Sequence, residues 1–121
     1  MAGVEKRDFD SPDETRSPDK TSVDVVHVGG HAVARFKLEP GWSWRECVKP
    51  VAGTESCQHR HVGVVQSGRM LVHHGDGTEL ELGRGDVYVI EPGHDAEVVG
   101  DEPFEALEFE PHAAEEYARR S

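Results

Sequence analysis

From Val23 onward, apolar and polar residues alternate in short runs that break at turn residues about every eight to twelve positions. A strand sends successive side chains to opposite faces, so each alternating run predicts a strand with one buried and one exposed face. Residues 23–28 (VDVVHV) lead into Gly29-Gly30, and residues 31–38 (HAVARFKL) end at Glu39-Pro40-Gly41, a strong turn signal. The same pattern predicts strands over 42–48, 58–66, 69–74, 78–82, 86–90, 96–99 and 104–109. Tight turns fall at Ser67-Gly68, Gly75-Asp76-Gly77, 83–85 and Pro92-Gly93. About nine strands, with a hairpin-linked meander among them, predict an all-β sandwich or barrel.

The two ends of the chain break this pattern. Residues 1–22 are rich in Asp, Glu, Lys, Ser and Pro, with Val4 and Phe9 their only large apolar side chains. Too little surface is available there to offset the entropy of ordering, so 1–22 reads as a flexible tail, with Phe9 as the one group able to anchor it on a neighbouring subunit. After Pro111, residues 112–120 place Glu115 and Glu116 four residues before Arg119 and Arg120, which predicts one short C-terminal helix. The expected organisation is a tail (1–22) and one barrel domain (23–121), a size suited to a single core.

Composition narrows the partners. A formal net charge of −11 repels nucleic acid and anionic membrane surfaces, so neither is expected to bind. No stretch has the length of a membrane span, and the first residues lack the apolar run of a signal peptide. The expectation is a cytoplasmic protein. The two cysteines, Cys47 and Cys57, do not make a disulfide framework and read as thiols or ligands.

Candidate chemistry concentrates between Gly53 and Asp95. Cys57, His59 and His61 stand at every second position, so an unbroken strand turns three soft-metal ligands to one face, with Glu55 behind them. His94 follows the Pro92-Gly93 turn and sits beside Asp95, which is placed either to orient it or to cap backbone amides. Cys47, on the run 42–48, is a further group that a strand could turn to the same cavity. Trp42 and Trp44 share a face by period two and read as barrel wall or subunit interface. His73 and His74 are adjacent, beside a hairpin turn, and read as solvated. No glycine-rich phosphate loop, G-x-S-x-G elbow or H-E-x-x-H helix occurs.

The run of strands, the Gly68 turn, and Gly85-Asp86 leading to the Pro92-Gly93 turn resemble the cupin superfamily over roughly residues 23–109. The resemblance implies an all-β, jelly-roll double-stranded β-helix. It also implies one divalent metal held by two histidines and a glutamate from a first motif and a histidine from a second. The first motif fits in two registers. A literal H-x-H makes His59 and His61 the pair, but puts Val65 or Gln66 at the glutamate position. Counting back from Gly68 puts His61 at the glutamate position and Glu55 and Cys57 at the H-x-H positions. The second register is preferred, because the strand-ending glycine is fixed by backbone geometry while ligand types drift. In the second motif Gly85 and Gly93 fit, Glu91 replaces the proline, and Ala96 takes the histidine position.

The implied metal set is therefore Cys57, His59, His61 and His94, for iron, zinc, nickel, copper or manganese. The implied function is a small-molecule-binding cupin whose metal serves oxygenase, isomerase or lyase chemistry on a small oxygen-bearing substrate. The fold alone does not choose among these, nor decide that the protein is an enzyme. The alternative is a non-catalytic binding or sensing cupin with a degenerate, metal-free site. Pairing of small cupins through edge strands implies a homodimer.

Overall fold

The computed structural model describes residues 3–110. The helix expected over 112–120 lies outside the described residues. Within them, nine strands form two antiparallel sheets. The larger has the order β1 (Glu14–Arg16), β2 (Thr21–Val28), β3 (His31–Leu38), β9 (Phe104–Phe109), β4 (His61–Ser67), β7 (Val87–Ile90). The smaller has the order β6 (Glu79–Leu82), β5 (Arg69–His74), β8 (His94–Val99).

Alternation in the sequence sets which face is buried. Val23, Val25, Ala34, Phe36, Val65 and Ala106 from the larger sheet share one core with Met70, Val72, Ala96 and Val98 from the smaller. The register Val23↔Phe36 and Val25↔Ala34 keeps the apolar positions of β2 and β3 on the same side. A slip of one residue would turn that whole set to solvent. Between β4 and β5 the chain reverses at Gly68, whose φ is 78°. A Cβ there would collide with the Pro103 carbonyl, so both the backbone angle and the space select glycine.

Three expectations are corrected by the structure. Residues 42–48 are not a strand: they hold one helical turn, α1 (Trp44–Cys47), and a second, α2 (Lys49–Ala52), follows it. Ser43 caps α1, its hydroxyl accepting from the Glu46 amide at 3.2 Å, in the S-x-x-E arrangement that opens a helix. The buried pair of this segment, Trp44 and Cys47, stands at helical spacing. Second, β4 begins only at His61, so 57–61 is not a continuous strand.

Third, the segment expected to be a tail without secondary structure contributes a strand, β1, paired with β2. Polar contacts rather than apolar burial hold it. The Asp13 carboxylate accepts from the His27 amide at 2.6 Å, which lowers its pKa, and Arg7 donates to Asp13 and to the Ser11 carbonyl. Arg35, paired with Asp24 at 2.8 Å, lies over the Phe9 ring at 4.9 Å, so Phe9 anchors on its own subunit. Among the described residues, no helix is long and apolar enough to cross a membrane.

Candidate metal centre

Three side chains that are distant in the sequence meet at one end of the barrel. His61 opens β4 and pairs with Ile90 at the end of β7. The chain then turns at Pro92-Gly93, with Gly93 at φ 95°, and returns as β8 with His94 as its first residue. Cys57, in the loop before β4, is tied to this turn by two backbone hydrogen bonds: its amide donates to the His94 carbonyl at 2.8 Å and its carbonyl accepts from the Gly93 amide at 2.7 Å. The outcome is a cluster of Cys57, His61 and His94 whose ligand atoms all lie within 4.8 Å of one another. The imidazoles meet edge to face, with centroids 4.9 Å apart and planes at 74°.

Each ring is fixed by its far nitrogen. His61 Nδ1 donates to the Glu108 carboxylate at 2.8 Å, and His94 Nδ1 donates to the Glu91 carbonyl at 2.8 Å. Nε2 of His61 then lies 3.5 Å from Cys57 Sγ, and Nε2 of His94 is the ring nitrogen that faces the cluster. Anchoring one imidazole nitrogen on a carboxylate or carbonyl while the other faces inward is the outer support found behind metal-bound histidines.

The electrostatics fit the same picture. Burial pushes the Cys57 thiol up, but hydrogen bonds and charge from His61 and His94 outweigh it and bring it down to about 6. Burial also opposes charge on His61, yet the Glu108 carboxylate and Cys57 hold it up at about 10. Near neutral pH the pair is a thiolate and an imidazolium whose protonation is shared as a unit.

Glu108 was missed in the sequence, although it carries the centre. Its other oxygen accepts from the Tyr88 hydroxyl at 2.9 Å, and burial together with the Glu108 charge raises the Tyr88 pKa beyond its ordinary range. Gly63 makes this contact available: it stands opposite Tyr88 on β7 and opposite Glu108 on β9. A Cβ at Gly63 would come 2.7 Å from the Tyr88 hydroxyl and would collide with the Leu107 carbonyl. The one available signal was an acidic residue at an inward position of the alternating run 104–109.

Other candidates lie elsewhere. His59 lines the cavity beside the cluster but contributes no atom to it. Glu55 is exposed and pairs with Lys49 at 3.0 Å. Asp95 pairs with Arg45 at 2.7 Å rather than orienting His94, whose Nδ1 goes to Glu91. Cys47 is buried in the core with its sulfur 3.7 Å from Asp19, and burial raises its pKa. His73 is half-exposed between Glu79 and Glu97, and His74 hydrogen-bonds the Pro92 carbonyl. Neither motif register survives whole: the one counted from Gly68 keeps Cys57 and His61 and loses Glu55.

The cluster opens onto a cavity of about 320 Å³ walled by Phe36, Leu38, Trp42, Trp44, Met70, Ile90 and Phe104. No family model matches the sequence, and no curated protein sequence matches it. Solved structures do. A protein of unknown function (DUF1255) from Acidithiobacillus ferrooxidans is similar at 26% identity over 79% of this chain and 85% of its own, with a TM-score of 0.57. An uncharacterized protein with a double-stranded β-helix domain from Klebsiella pneumoniae is similar at 25% over 77% and 73%, with a TM-score of 0.54. A sugar phosphate isomerase from a cupin superfamily, from Silicibacter pomeroyi, shares the fold at 20% over 87% and 74%, with a TM-score of 0.60. Two facing antiparallel sheets around an end cavity are thus a double-stranded β-helix. The chain has a cupin-type fold, and its cluster of one cysteine and two histidines is its candidate metal site.

Proposed function

We propose that this protein is a metal-dependent cupin that holds one divalent transition metal through Cys57 Sγ and Nε2 of His61 and His94, and uses it on a small molecule in the apolar cavity. The observation that carries this reading is the convergence of three donor atoms whose rings are already anchored from behind by Glu108 and the Glu91 carbonyl. Thiolate with two imidazoles suits zinc, iron, nickel or copper and disfavours manganese, which prefers oxygen donors. Three protein ligands leave an open position, and a metal bound there would supply Lewis-acid or redox chemistry to a substrate oxygen. The chain's own contribution is positional: Glu108 keeps the proton on His61 Nδ1, Tyr88 orients Glu108, and the aromatic wall excludes water.

A second reading is favoured by one feature. Without metal, the Cys57–His61 pair at 3.5 Å, backed by Glu108, is already charge-balanced, which suits a metal-free cupin that binds or senses its ligand. Elemental analysis of untagged protein separates the two. Near-stoichiometric metal, lost in His61→Ala while the circular dichroism spectrum persists, supports the metal reading. Protein that stays metal-free after incubation with zinc, iron, nickel and copper sinks it.

Homodimer formation is part of the proposal. Val87 and Val89 are exposed on β7, an edge strand of the larger sheet, where a second copy could add its own strand. Sedimentation at micromolar concentration tests it, and a monomer would refute it.

A further inference from the structure

The character of the cavity restricts what can enter it. Its wall is largely apolar and aromatic; its polar side chains are those of the cluster (Cys57, His61, His94, Glu108 and Tyr88) and, beside it, Thr54, Gln58 and His59. Among the described residues, no lysine or arginine lines it. The nearest basic side chains in the sequence are committed elsewhere: Arg45 to Asp95, Lys49 to Glu55 and Arg60 to Glu91. Only Glu108 brings a carboxylate to the wall, and it is taken up by His61 and Tyr88. A phosphorylated or dicarboxylic ligand would bury two or more negative charges against hydrocarbon, with one metal-bearing end to offset them. That desolvation is not recovered without paired cations.

We propose that the ligand is an uncharged, mainly apolar molecule, of ring-like or branched hydrocarbon character, that presents a single donor group (a phenol, thiol or enol) to the cluster. Its size follows from the volume. A cavity of about 320 Å³ is roughly twice one that holds benzene, so it accommodates about ten to twelve non-hydrogen atoms. The donor group's role rests on the metal reading above; the apolar body does not, because the wall is formed by the chain alone.

Trp42 and Trp44, the only tryptophans in the chain, both line the cavity and give two indole N–H signals by nitrogen-15 NMR. Metal-free protein titrated with 2-naphthol is expected to shift both signals saturably, while glucose 6-phosphate and oxalate leave them in place. Ile90→Asp puts a carboxylate on the wall and is expected to weaken 2-naphthol binding roughly tenfold or more. Should that variant not fold, the comparison of probes on the wild type still decides. A shift by either anion in metal-free protein, or none by 2-naphthol, overturns the inference. Cobalt(II)-loaded protein adds the donor group: its visible bands are expected to change when 2-naphthol binds. Cobalt uptake with no response to 2-naphthol anywhere overturns the ligand class and leaves the metal site standing. An indole response in protein that takes up no cobalt upholds the apolar ligand and sinks the metal.

Discussion

Exchanging His61 for Gln in the metal-free protein removes the group that holds Cys57 as a thiolate. In the wild type the thiol lies at about 6, against 9.0 for an ordinary cysteine. At pH 7.5 a group at that value is ~97% thiolate, whereas one at its ordinary value is ~3%. The variant keeps the burial, which pushes the thiol up, and keeps only His94 to oppose it. Its thiolate fraction at pH 7.5 should fall to a minority. Thiolate ultraviolet absorbance across a pH titration reads this directly, with Cys57→Ser as the blank. Cys47 stays silent near neutrality because burial raises it. A midpoint that stays near 6 in His61→Gln would refute the assignment of His61 as the partner.

The same pair fixes how stability responds to pH. Cys57, lowered to about 6, contributes stability that is present above 9.0 and lost as pH falls through about 6. His61, raised to about 10, contributes stability that is present below 6.5 and lost as pH rises through about 10. Between 6.5 and 9.0 the folded pair carries its one proton on the imidazole and the unfolded pair carries one on the thiol. Equal proton counts give the pair no slope in that window, with losses on either side. Urea denaturation of wild type and the double variant Cys57→Ser/His61→Gln across pH should show their stability difference flat from 6.5 to 9.0. A steep slope inside the window would contradict the paired titration.

Three further outcomes are expected. Glu108→Gln keeps the hydrogen-bonding shape but removes the charge that lifts His61, so zinc binding near pH 8 should release fewer protons than in the wild type; calorimetry in buffers of different ionisation enthalpy counts them, and an equal count would contradict this. Gly63→Ala forces a Cβ against the Leu107 carbonyl and the Tyr88 hydroxyl and should cost about 1–3 kcal/mol of stability in urea denaturation, with no loss arguing against the contact. His59→Ala should keep metal affinity well short of the ~10–100-fold drop that loss of an outer support gives, and a drop of that size would bring His59 into the centre.

Much of the barrel was legible in the sequence, because strand faces are set locally. Period-two alternation and glycine or proline turns fixed β2, β3, β5 and β9 to within a residue or two, and with them the inward positions of the core. Where local cues compete, the reading failed. The run 42–48 carries an alternating tryptophan pair and a helix-opening Ser43–Glu46 box at once, and the capped helix won. Residues 3–20 carry only Val4 and Phe9 as large apolar side chains, yet β1 is paired along the edge of β2, a partner no composition count can see.

The candidate centre divides along the same line. Cys57, His61 and His94 were identifiable as donor types placed within the two motif stretches. That they converge was not, because the convergence depends on the Cys57–Gly93–His94 backbone bridge and the β4–β7 pairing, both long-range contacts. Alternation placed His59 with them; the broken strand between 57 and 61 removed it. Glu108 had no motif at all, lying 47 residues from His61, and only the register of β9 against β4 brings its carboxylate to the imidazole. The sequence by itself determined the donors and the faces of the strands. Tertiary structure alone decided which donors meet, because the sheet pairings that join them act across distances no local period encodes.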